Sequence, residues 1–251
     1  MNNSSEWWRS SPVLHSVVHT VIGAFSYPGL ALFNKMKISG AEHLIGLPPR
    51  NVLFVSNHKT YFSEVIAYLH VFCAVKRGKI NKLGFPNYLF NPFLGAAFVA
   101  SAETMTHGLR ARLLSLAGAV LIKRTWRTGQ QELKRDRDPG DTAKILRALQ
   151  DRWVITFPQG TTSPRAPGRK GTAHIINQGG PIVIPVVARG FDRVFDKKGL
   201  IIRKIGEGLS VNFKKPLVSA PGASPEAILE QVMDAIEENE RHWSRTCLGA
   251  S

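Results

Sequence analysis

A histidine placed just past an apolar run, with a carboxylate a few residues on, is the raw material of a general base. In this chain the run is Val52-Leu-Phe-Val-Ser56, the imidazole is His58 after Asn57, and Ser63 and Glu64 follow five and six residues later. Imidazole takes up a proton near neutral pH, and a carboxylate on its other ring nitrogen would fix the tautomer and stabilise the charged form. A second apolar run, Trp153-Val-Ile-Thr-Phe157, ends in Pro158-Gln159-Gly160-Thr161-Thr162-Ser163. Gly160 lets backbone approach a ligand closely, and the turn can aim amides at an oxyanion or a phosphate. Thr161 and Ser163 add hydroxyls, and Arg165, Arg169 and Lys170 add cations nearby. Taken singly, His58 reads as a helix cap or satisfied polar residue and the second motif as a structural turn. Both follow strand-like runs, where ligands of α/β proteins bind, so the two are expected to share one site.

The elements that must position them alternate along the chain. Val52–Ser56 reads as a strand and Tyr61–Val75 as a helix. Leu109–Ile122 reads as a helix passing into a strand near Val120, and Thr125–Asp141 as a charged, solvated loop. Asp141 is placed to cap a helix running to about Asp151. Trp153–Phe157 and Pro181–Ala188 have the β-branched composition of strands covered on both faces. Ser224-Pro225 opens an amphipathic helix expected to run to about Trp243. Such alternation predicts an α/β fold with a mostly parallel sheet flanked by helices. A length of 251 residues suits one such domain, over residues 37–251, behind an N-terminal segment of residues 1–36.

That segment is apolar. Residues 10–34 contain no Asp, Glu, Lys or Arg, long enough to raise the question of a membrane span. Val13, Leu14, Val17, Val18, Val21, Ile22 and Phe25 recur on one helical stripe beside His15, Ser16, His19, Thr20 and Gly23, a pattern that favours a helix lying in the membrane interface. Ser10 or Ser11 before Pro12 would cap it, Pro28-Gly29 would break or turn it, and Trp7, Trp8 and Arg9 suit the headgroup region. A helix packed on the domain itself is the competing reading. Glu6 in the leader and the lack of a small-residue cleavage site speak against a secretory signal.

The net charge of +15 implies a polyanionic partner. Because the aromatic residues fall in apolar runs such as Asn87–Phe98 and not among the basic ones, an anionic membrane surface is expected and nucleic acid is not. Cys73 and Cys247 lie far apart, without metal-ligand spacing, as thiols of a reducing compartment do, and His15 and His19 lack a recognisable third ligand. Neither a metal nor another cofactor is expected. The resulting location is the cytoplasmic face of the cell membrane, peripheral or monotopic.

Four blocks in order carry a resemblance. Asn57-His58, Gly118-Ala-Val-Leu-Ile-Lys-Arg124, Phe157-Pro-Gln-Gly-Thr-Thr-Ser163 and Ile182-Val-Ile-Pro185-Val-Val resemble, in register over roughly residues 38–215, those of the glycerolipid acyltransferase family, which includes lysophosphatidic acid and glycerol-3-phosphate acyltransferases. The resemblance implies an enzyme of phospholipid biosynthesis that transfers an acyl chain directly from acyl-CoA or acyl-carrier protein to the hydroxyl of a lysolipid acceptor. It casts His58 as general base, Arg124 and Arg169 or Lys170 as phosphate ligands, and Asn57, Gln159, Gly160 and Thr161 as shaping the substrate site. Three positions depart from the family pattern: Ser63 replaces an aspartate, leaving Glu64 as the available acid; Gln159 replaces a glutamate; Thr162 replaces an arginine. The last makes an acceptor other than lysophosphatidate, such as a lyso-aminolipid, credible. A lipid- or acyl-carrier-binding protein that has lost catalysis is the alternative these departures suggest.

Overall fold

The computed structural model describes residues 12–102, 117–122, 139–220, 222–239 and 242. Among the described residues, seven strands form one sheet: β1 (Lys37–Ser39), β2 (Val52–Ser56), β3 (Ala96–Ser101), β4 (Ala119–Ile122), β5 (Trp153–Thr156), β6 (Ile182–Arg189) and β7 (Ser210–Phe213), in the order β1-β7-β6-β2-β5-β3-β4. Every pairing is parallel except β6 with β7, so the sheet is mostly parallel, as its β-branched strands predict.

β2 lies at the centre, buried along its whole length. Val52 and Phe54 join Trp153 and Ile155 in the core on one face, while Leu53, Val55 and Val154 join the core on the other. Helix α2 (Ser63–Lys76) covers the first face, almost entirely buried. Helices α3 (Pro139–Asp151), α4 (Lys170–Gly179) and α5 (Pro225–Ala235) cover the second through Ile145, Leu149, Ile175, Ile176, Ile228 and Val232. The layers give a helix–sheet–helix sandwich.

Pro185 sits inside β6, where a missing amide would ordinarily break a ladder. It lies one residue before the antiparallel pairing with β7 begins at Val186, and its carbonyl accepts from Lys214 N at 2.8 Å. The absent donor therefore falls at the end of the β7 ladder, where only the reciprocal bond to Lys214 is lost.

Helix α1 (Pro12–Tyr27) begins on proline and does not stop at Pro28-Gly29. It continues as a π-helical turn over Pro28–Phe33, where Asn34 Nδ2 donates to Gly29 O at 2.8 Å. Gly29 is small enough to lie against Ile202. The side of α1 facing the domain is the polar one: His15, Val18, His19 and Gly23 are buried, with Thr20 donating to Leu89 O. Val13, Leu14, Val17, Val21 and Phe25 face outward, Val13 72% and Phe25 84% exposed. Val18 thus leaves the apolar stripe and belongs to the core.

Two expected boundaries move. α3 starts at Pro139, putting Asp141 inside the first turn and not at the cap. Ser224 does cap α5, its hydroxyl accepting from Ala227 N. α5 nevertheless ends at Ala235, because Glu237 adopts φ +61° and the amides of Glu237 and Glu238 turn back to Asp234 O and Met233 O. That is a Schellman closure with glutamate at the left-handed position usually held by glycine, so the composition gave no stop signal. Trp7, Trp8, Arg9, Ser10, Ser11, most of Leu109–Ile122, most of Thr125–Asp141 and Trp243 lie outside the described residues.

Candidate active site

β2 and β5 are parallel neighbours with Val55 opposite Thr156, so the chain leaves the sheet as Asn57-His58 beside Phe157-Pro158-Gln159. β6 flanks β2 on its other side, with Ser56 opposite Val186. The site therefore lies outside the carboxyl ends of three adjacent strands. There the His58 ring stacks on Phe157, centroids 4.0 Å apart and planes 22° apart, and both rings are half-buried. The first and second motifs meet at this pair.

A set of buried bonds holds the turn that carries His58. Asn57 is clamped to the end of β6: its Nδ2 donates to Ala188 O and its Oδ1 accepts from Ala188 N, both at 2.8 Å. Glu64 Oε1 accepts the amides of Lys59 and Thr60 at 2.6 and 2.7 Å, and Oε2 accepts the Thr60 hydroxyl at 2.5 Å. Glu64 is fully buried, and desolvation raises its carboxyl above the usual range even though three donors oppose the shift. Ser63 pairs its hydroxyl with Thr60. Gly199, at φ +74°, presses on this turn; a Cβ there would meet Ser63 N and Thr60 Oγ1 at 2.5 Å, so only glycine fits. Below it, Ser56 Oγ and Tyr68 OH lie 2.6 Å apart.

The second motif forms a tight turn. Gly160, at φ +63°, donates its own amide to Phe157 O at 2.9 Å, and Arg169 N donates to Pro158 O. A Cβ on Gly160 would lie 3.3–3.4 Å from the Arg169 guanidinium, so the glycine makes room for that side chain across the turn. Lys170 begins α4, is exposed and pairs with Glu226 of α5. Of the two candidate cations, Arg169 is therefore the one beside the motif. Thr161 Oγ1 donates to Ser163 Oγ at 3.1 Å, and the Ser163 amide donates to Thr161 Oγ1. Arg165 adopts φ +58° in the exposed loop between. The buried Gln159 Nε2 donates to Ala166 O at 2.8 Å and to Glu238 Oε2 at 3.3 Å, and Glu238 Oε1 lies 2.5 Å from Lys59 Nζ.

Arg124 lies outside the described residues; β4 ends at Ile122. Sequence reasoning missed three participants. Phe157 was legible only as a strand end, although an aromatic beside an expected imidazole is a stacking signal. Thr60 sits four residues before Glu64, a spacing that brings the pair together at a helix start. Glu238 gave no local signal. Among the described residues no cluster of three metal-binding side chains occurs.

A protein-family model described as Acyltransferase matches residues 35–189. Among solved structures, the crystal structure of the 1-acyl-sn-glycerophosphate (LPA) acyltransferase PlsC from Thermotoga maritima is similar over 98% of this chain and 86% of that one, with a TM-score of 0.54 and 19% sequence identity, a likeness of fold. No curated protein sequence matches this chain.

Proposed function

The chain belongs to the acyltransferase family, whose model spans more than half of it, and from that premise we propose that it transfers a fatty acyl chain from acyl-CoA or acyl-carrier protein to the hydroxyl of a lysolipid at a membrane surface. The observation that carries this reading is the half-buried His58 ring, stacked on Phe157 where both motifs leave the sheet. His58 takes the proton of the acceptor hydroxyl as its oxygen attacks the thioester carbonyl carbon. As the tetrahedral intermediate collapses, the carbon–sulfur bond breaks and the imidazolium returns the proton to the departing thiolate. No covalent acyl-enzyme is required.

Glu64 serves this step by holding the Lys59-Thr60 turn, and Asn57 by fixing the turn to β6. Arg169, lying across Gly160, is the cation we assign to an anionic group of donor or acceptor.

Membrane attachment is supported by the inverted amphipathicity of α1. A surface helix of a water-soluble domain turns its apolar stripe inward. Here His15 and His19 point in, while Val13, Val17, Val21 and Phe25 point out. From Pro12 to Phe33 the helix is also apolar and long enough to cross a bilayer, but its packing along one side suits a helix lying in the interface of the cytoplasmic leaflet, with residues 1–36 as the attachment and 37–251 as the catalytic domain.

The test is transfer of labelled acyl chains from acyl-CoA and from acyl-carrier protein to a panel of lysophospholipids and lyso-aminolipids. Transfer lost in His58→Ala, with folding retained, supports the reading. Absence of transfer to every acceptor, or transfer indifferent to His58, eliminates it in favour of a binding protein without catalysis.

A further inference from the structure

Position 159 holds glutamine where the resembling family block has glutamate, yet the turn around it does not lack a carboxylate. Glu238, 5% exposed, sends one oxygen to Lys59 and the other to Gln159. Lys59 follows His58 in sequence, and Gln159 lies two residues after Phe157, the ring on which His58 stacks. A single carboxylate thus joins the turn that carries the base to the turn that carries its stacking partner.

Glu238 lies beyond the matched residues 35–189. It enters the site because α5 stops short. The left-handed Glu237 reverses the chain, the Glu238 amide closes on Met233 O, and Glu237 is tied to Arg189 at the end of β6 and to Lys214 beyond β7. Those two ion pairs hold a non-glycine residue in a conformation that L side chains seldom adopt. The backbone is thereby committed to presenting the next side chain inward.

We propose that Glu238 is a positioning residue for the His58 base, supplying from the C-terminal segment the carboxylate that the second motif lacks at Gln159. The proposal rests on the acyl-transfer reading above. Both oxygens accept from donors already committed: Lys59 offers only N–H groups, and the Gln159 amide uses its other hydrogen on Ala166 O. Glutamine at 238 would keep one acceptor and turn an NH2 group toward a donor, so one of the two arms must open. Aspartate would keep both acceptors on a shorter stem. Displacement of a catalytic group by about 1 Å costs on the order of a hundredfold in rate, and Glu238 acts through the turns without touching either reactant.

The experiment measures kcat, KM and melting temperature for Glu238→Gln, Glu238→Asp, Lys59→Met and the Lys59→Met/Glu238→Gln double variant in the full chain. The expected result is a kcat lowered tenfold or more in Glu238→Gln with acceptor KM within twofold of wild type, and a smaller loss in Glu238→Asp. In the Lys59→Met background, Glu238→Gln should lower kcat by less than twofold further, since the arm it opens is already gone. A Glu238→Gln kcat within twofold of wild type overturns the proposal. So does full additivity with Lys59→Met, or a loss in both Glu238 variants that follows their melting temperatures. A wild-type protein that transfers no acyl chain would instead remove the acyl-transfer reading itself.

Discussion

Replacement of Glu64 separates two ways in which a buried acid could serve the base. Its carboxylate accepts two backbone amides and one hydroxyl, all from Lys59 and Thr60 and all within 2.7 Å. Glu64→Ala leaves three donors in a fully buried space. Each unsatisfied buried group costs about 1–3 kcal/mol, and water entering the vacated volume recovers part, so a net destabilisation of about 3–5 kcal/mol is expected. For a chain of this size that is a fall in melting temperature of roughly 10 °C, with a rate loss above a hundredfold as the His58 turn loosens. Glu64→Gln is different. Its carbonyl oxygen keeps both amides, and the Thr60 hydroxyl can rotate to donate to Ser63 and accept from the new NH2 group. The rate should fall less than tenfold and the melting temperature by only a few degrees. There is also a pH signature. Burial raises the folded-state carboxyl above its unfolded value, so wild-type stability is greatest below the unfolded value and declines as pH climbs through the folded one. Glu64→Gln cannot ionise and should lack that decline. Thermal unfolding followed by circular dichroism, with initial rates of acyl transfer on the same preparations, reads both effects. A Glu64→Gln enzyme that folds like wild type but is as slow as Glu64→Ala would refute the turn-holding role and place the negative charge in direct service of the imidazole.

Gly160→Ala should cost about 1 kcal/mol from its positive φ, and should raise the KM of the anionic substrate by pushing the Arg169 guanidinium off the turn; unchanged KM would take Arg169 out of the site. Val17→Asp/Phe25→Asp alters two outward, largely exposed side chains of α1. Binding to anionic vesicles should fall tenfold or more in sedimentation, with the melting temperature within 2 °C or so of wild type. His70 is buried between Ser26 and Tyr88, both 2.9 Å from its ring nitrogens, and desolvation lowers its pKa to about 4. The unfolded chain therefore binds the extra proton, and about 3 kcal/mol of stability should vanish as pH falls from 6.5 to 4. His70→Gln should flatten that part of a stability–pH curve, and an unchanged slope would assign the acid sensitivity elsewhere.

Local sequence determined the central strands β2, β5 and β6 and the edge on which their chemistry sits, whereas β1, β3 and β7 carried no such reading. β-Branched runs with both faces apolar require a sheet covered on two sides, and the residues that follow such strands emerge together once neighbours run parallel. His58 and the Phe157–Ser163 turn were legible for that reason, as was the Ser224-Pro225 helix start. The tertiary structure decided matters that depend on the handedness of a turn or on a partner far along the chain. Which side of α1 faces out follows from where Leu89 and Ala117 accept Thr20 and His19, and periodicity alone locates a stripe without saying what covers it. The entry of Glu238 depends on one left-handed residue that is not glycine, stabilised by Arg189 and Lys214. No window of sequence contains those three residues together; only the folded sheet brings their charges within reach.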